Sequence, residues 1–83
     1  MQEVLHLSNL SKPVTVEILE YLKMNPNSPV MAVYKDLDIE QSICSINLKR
    51  LYNANMVSKI RDGQKVKYSL NLYGIADLFD SNT

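Results

Sequence analysis

The stretch QSICSINLKRLYNANMVSKIRDGQKVKYSL, residues 41–70, changes its hydrophobic period halfway along, and that change decides the fold. In its first half Cys44, Leu48 and Leu51 recur at intervals of four and three, with Ile43 beside them and Ala54 closing the run, which predicts an amphipathic helix over residues 41–54. The other face of that helix carries Gln41, Ser42, Ser45, Ile46, Asn47, Lys49, Arg50 and Tyr52. Asn55 is the expected end, because asparagine tolerates the left-handed conformation in which helices often terminate. From Val57 the period falls to two. Val57, Lys59 and Arg61 alternate with Ser58, Ile60 and Asp62, and Val66, Tyr68 and Leu70 alternate with Lys65, Lys67 and Ser69. The Asp62-Gly63 pair between these runs is a strong hairpin signal, so residues 57–70 are expected to form a two-stranded hairpin with Arg61 to Lys65 at its tip. Alternation turns Val66, Tyr68 and Leu70 to the buried face.

Outward from this stretch the chain reads as helices. Val4, Leu5, Leu7 and Leu10 form a short apolar segment. In SKPVTVEILEYLKMN, Ser11 is placed to cap and Pro13 stands in the permitted first turn, followed by Val16, Leu19 and Tyr21 or Leu22 at helical spacing. NPNSPV is turn chemistry, and VMAVYKDL predicts a short helix from about Val30 to Leu37. Asp38 and Gln41 have the spacing of a capping box for the helix that follows. After the hairpin, NLYGIADLF returns to helical spacing at Leu72, Ile75, Ala76 and Phe79. The expectation is a mostly α fold with a small β-hairpin, residues 1–83 making one domain.

Composition supports a globular chain: 46% of residues are hydrophobic and 22% charged, with two glycines and three prolines. Formal net charge is zero, but it is unevenly spread. Residues 1–40 carry six acids against three lysines, whereas residues 41–69 carry six cations against Asp62 alone. A polyanion partner needs a patch rather than a net charge, and this segment supplies one. The single cysteine excludes an internal disulfide, and no apolar run long enough to span a bilayer occurs, so a cytoplasmic protein without a membrane role is expected.

The order of helices followed by a basic hairpin and a last helix is that of a winged helix-turn-helix domain. From about Leu7 to Ile75 the sequence resembles the ArsR-type bacterial regulators, most specifically in the joint spacing of Ser42, Ser45, Leu48, Leu51, Ala54, Val57, Gly63 and the terminal Tyr68-Ser69-Leu70. The resemblance implies a sequence-specific transcriptional regulator, a dimeric repressor on a palindromic operator of double-stranded DNA. Gln41, Ser42, Ser45, Ile46 and Asn47 would face base edges in the major groove, where Gln and Asn suit adenine and Ile46 a thymine methyl. Lys49 and Arg50, further along, would meet phosphates, and Arg61, Gln64 and Lys65 at the wing tip would reach the backbone or the minor groove. ArsR-like proteins pair through their first and last helices, which here offer Val4, Leu5, Leu7 and Leu10 with Leu72, Ile75, Leu78 and Phe79 as a homodimer interface.

The sequence departs from that family in its sensing chemistry. Paired cysteines on VMAVYKDL, or His and carboxylate ligands on the last helix, are missing, so no metal site and no cofactor is expected. Cys44 stands where the family pattern has valine and reads as core filling, and no second cysteine is present to resolve an oxidised thiol. An unidentified small-molecule or protein effector remains compatible with these residues. Glu40 replaces the usual serine and brings a negative charge close to the expected phosphate contacts. Two readings compete with DNA binding. A winged helix can serve as a protein-interaction module, with its charges a solvated face or a guard against edge pairing. An enzyme lacks support, since no nucleophile and base pair or phosphate-cradling loop is present and His6, the sole histidine, lies in the first segment.

Overall fold

The computed structural model describes residues 12–75. Helix α1 spans Val14–Met24, a short strand β1 Ser28–Pro29, helix α2 Val30–Leu37 and helix α3 Gln41–Asn53; strands β2, Val57–Asp62, and β3, Lys65–Leu70, complete the order. The first apolar segment, Ser11 and the expected last helix beyond Ile75 lie outside the described residues; residues 72–75 are helical.

Each helix follows from its apolar spacing. Ile18 and Leu22 of α1, one turn apart, are buried against Val33 of α2 and against Cys44, Leu48 and Leu51 of α3. Val57 at the start of β2 closes this core, while Val14, Leu19, Tyr34, Leu37, Met56 and Leu70 pack around it half-buried. Pro13 stands at the entrance of α1 with φ −69° and ψ 158°, and its carbonyl accepts the first bonds, from the amides of Val16 (3.1 Å) and Glu17 (3.2 Å). The Tyr21 hydroxyl donates to Asp36 at 2.6 Å and so ties α1 to α2.

The helix ends use asparagine and aspartate in place of glycine. Asn55 has φ +65°, as its residue type predicts, and Asp38 has φ +58°. At the end of α3 the Met56 amide donates to the Leu51 carbonyl (2.9 Å) and the Asn55 amide to that of Tyr52 (3.0 Å), the paired bonds of a Schellman closure. The same pair recurs at the end of α2, from Ile39 to Tyr34 (3.0 Å) and from Asp38 to Lys35 (3.2 Å). This corrects the expected capping box. Asp38 is committed to closing α2, Glu40 stands at the entrance of α3 with extended backbone, and no side chain caps that helix.

The hairpin has the expected extent, with two differences. Asp62 pairs with Lys65 inside the ladder, so Gly63 and Gln64 form the two-residue turn; Gly63 alone has positive φ (+68°), the pattern of a type II′ rather than an Asp-Gly type I′ turn. The sheet also has a third strand, in the order β1-β3-β2, with Ser28 opposite Tyr68 and Pro29 opposite Lys67. Proline is tolerated there because β1 is an edge. Asn27 secures the junction through its amide to Ser69 Oγ (2.9 Å), and buried Ser28 donates its hydroxyl to the Asn25 carbonyl (2.6 Å).

Candidate nucleic-acid interface

The helical repeat sorts the exposed residues of α3 into stripes. Gln41, Ser45, Lys49 and Tyr52, at spacings of four, four and three, lie along one flank. Ser42, Ile46 and Asn53 form the outward stripe, and all seven of these side chains are exposed. Ile46 keeps 50% of its surface open, a large apolar side chain left in solvent. Ile43, Asn47 and Arg50 occupy the opposite flank. Asn47 is half-buried there, and its amide donates to the Ile43 carbonyl one turn back at 2.8 Å. The expected base-facing set is therefore split: Gln41, Ser42, Ser45 and Ile46 share contiguous exposed surface, whereas Asn47 is turned from it and engaged with its own helix.

The register of the hairpin gives the wing two faces. Val57 pairs with Leu70, Lys59 with Tyr68 and Arg61 with Val66, so these six side chains share the face towards the helices. Burial fades along it, from Val57, which is covered by the core, to Arg61, which is exposed. Lys65 and Lys67 stand on the reverse face with Ile60 and Ser69. Lys67 pairs with Asp62 at 3.3 Å, an exposed contact of small energetic value. Gln64 and Lys65 border a groove with Pro29, Val30, Met31, Val66 and Tyr68 that no residue of α3 lines.

Where the helix flank meets the inner wing face, a cleft of about 340 Å³ opens, lined by Ser45, Lys49, Tyr52, Asn53, Lys59 and Tyr68. Lys59 Nζ lies over the Tyr52 ring, 4.3 Å from its centre, within cation–π range. No acidic side chain lines the cleft. Burial, and in second place the neighbouring Cys44, pushes the Tyr68 hydroxyl above its ordinary range, so it remains a protonated donor. Cys44 itself is fully buried beneath the helix, and desolvation raises its thiol, which favours the unreactive form. Among the described residues no group of His, Cys, Asp and Glu side chains is placed to hold a metal ion. Tyr52, Lys59 and Tyr68 were not among the residues expected to contact a ligand. Their signal was present in the spacing of Tyr52 from Ser45 and in the pairing of Lys59 with Tyr68, which requires a register that alternation alone leaves unset.

No protein-family model matches the sequence, and no curated protein matches it. Solved structures do. The Zalpha domain of PKZ in complex with ds(CG)6 is 26% identical, with a TM-score of 0.64, over 69% of this chain and 92% of that one. A predicted DNA-binding transcriptional regulator from E. coli is 25% identical, with a TM-score of 0.68, over 96% of this chain and 88% of that one. The homodimeric winged helix-turn-helix DNA-binding domain of Mb0332 from Mycobacterium bovis, a possible ArsR-family regulator, is 24% identical, with a TM-score of 0.70, over 86% and 65%. The chain has the winged helix-turn-helix fold. In its terms α2 and α3 are the helix-turn-helix, α3 is the recognition helix, and β2 and β3 are the wing.

Proposed function

We propose that this chain is a DNA-binding transcriptional regulator of the ArsR-like kind, which reads duplex DNA with α3 in the major groove and steadies it with the wing. The observation that carries the reading is the exposed surface of α3. Gln41, Ser42, Ser45 and Ile46 stand together on the first two turns of a helix that has no acidic residue, beside a hairpin that bears four cations. Such a helix fits the major groove, and Ile46 is suited to a thymine methyl. The duplex-bound Zalpha neighbour and the E. coli regulator support duplex DNA as the partner. Lys49 and Arg50 serve as phosphate contacts, as do Arg61, Gln64 and Lys65 at the wing tip. Asn47, on the other flank, completes the base-reading set with its second amide hydrogen and Oδ1, one hydrogen being held by the Ile43 carbonyl.

The finer reading is a cytoplasmic homodimer that represses by occupying a palindromic operator. Leu72, with 69% of its surface exposed, and half-buried Ile75 begin the last helix and continue the interface that Val4, Leu5, Leu7, Leu10, Leu78 and Phe79 would provide. The Mb0332 neighbour, described as homodimeric, supports this pairing. Titration with a duplex from upstream of the chain's own gene, followed by amide chemical shifts, gives a direct check. The expected perturbations concentrate on residues 41–50 and 59–65. Perturbations confined to α1, or none at low salt, would overturn the reading and favour a protein-interaction module.

A further inference from the structure

The cleft between α3 and the wing has a chemistry that base reading leaves unused. It brings two ammonium groups, Lys49 and Lys59, together with the hydroxyls of Ser45, Tyr52 and Tyr68 and the amide of Asn53, and it admits no carboxylate. Every one of these side chains can donate a hydrogen bond. Such a set, open to solvent and positively charged, suits a tetrahedral oxyanion rather than a base edge, because phosphate oxygens only accept. Lys59 is also restrained. Its stacking on Tyr52 at 4.3 Å holds the ammonium over the cleft, which lowers the conformational entropy lost when an anion arrives.

We infer that this cleft is a phosphodiester seat, in which Lys59 holds one backbone phosphate of the bound duplex and Lys49 its neighbour, beside the segment read by α3. The inference rests on the DNA-binding reading and adds Asn53, Lys59 and Tyr68 to its contacts. It assigns the wing's principal phosphate contact to the root of β2 rather than to the tip. It also gives the Tyr52–Lys59 pair a positioning role: the ring orients the ammonium without touching DNA.

The test is the salt dependence of duplex binding by the intact chain. Removing one cation that neutralises a phosphate of B-DNA lowers the slope of log K against log salt by about 0.9. Lys59→Gln is expected to lower the slope by that amount and to weaken binding to the upstream duplex and an unrelated duplex by the same factor. Lys59→Arg should restore the slope, and Tyr52→Ala should weaken binding while leaving the slope as in wild type. Lys23→Gln, an equal charge change on α1, supplies the control and should leave the slope unaltered. If wild type binds while Lys59→Gln and Lys49→Gln both keep its slope, the seat is overturned and the DNA reading survives. If wild type binds no duplex at low salt, both fall together. A free anion is separated by amide shifts: if inorganic phosphate perturbs Ser45, Lys49 and Lys59 of the unliganded chain while the bound duplex leaves these residues unperturbed, the assignment to the backbone is overturned.

Discussion

At Gly74 the helix that follows β3 runs against the end of α3, and a Cβ there would come within 1.7 Å of the Asn55 carbonyl oxygen. That atom is backbone and cannot yield. Gly74→Ala should therefore destabilise the fold by about 1–3 kcal/mol, as overpacking does, which urea unfolding would measure. Gly63 differs in kind. Nothing lies within 4 Å of a Cβ at that position, but its φ is +68°, so Gly63→Ala should cost only the left-handed backbone term, about 1–2 kcal/mol, and leave the melting cooperative. Cys44 and Tyr68 give a pH signature. Burial raises both groups above their ordinary values of 9.0 and 10.0, so the unfolded chain releases these protons first. Their contribution to stability is complete below pH 9.0 and is lost as pH rises through the folded values. Stability measured across the alkaline range should fall, and it should fall less in Cys44→Ala, although that variant begins lower for the volume it leaves empty.

At the scale of elements, the end of α3 is the junction on which recognition helix, wing and last helix meet. Asn71 donates from its side chain to both the carbonyl (3.1 Å) and Oδ1 (2.9 Å) of Asn55, while its own amide donates to the Met56 carbonyl (2.9 Å). Asn55→Ala removes the side-chain acceptor and leaves an alanine in left-handed geometry. A drop in stability of about 1–2 kcal/mol is expected, partly recovered in Asn55→Gly, where only the acceptor is missing. The left-handed end at Asn55 was legible in the sequence, as were all three described helices and the extent of the hairpin, because periodicity and turn residues are local signals. Two features were not. Strand β1 is two residues long and exists only through its partner in β3, far along the chain. The missing cap on α3 reflects a competition: Asp38 has the spacing for a capping box, but the closure of α2 fixes its backbone first.

At the scale of the molecule, the candidate interface was legible as a charge segment and a helix face but not as a division of labour. Treating the outward residues of α3 as one set placed Asn47 beside Ser45, whereas the packing of α3 on α1 and α2 turns Asn47 to the flank away from the wing. Only the fold could show that Lys59, at the root of β2, faces Ser45 and Lys49. Association belongs to this scale as well. Leu72→Lys alters a side chain that the described residues leave 69% exposed, so its fold should persist. The proposed homodimer predicts that sedimentation nonetheless shifts from dimer to monomer. The variant should bind a duplex with two half-sites more weakly than wild type does, with little change on a single half-site.

Whether α3 reads a DNA sequence is decided by fluorescence anisotropy on two duplexes, one from upstream of the gene and one unrelated, with Ile46→Ala beside wild type. Ile46 is exposed, so its replacement should leave the fold intact. Wild type should prefer the upstream duplex, and Ile46→Ala should lose at least part of that preference, by about 0.8 kcal/mol for each methylene-sized group taken out of contact with a thymine methyl, while retaining binding to the unrelated duplex. Equal affinity of wild type for both duplexes, unchanged by the substitution, would contradict sequence reading by α3.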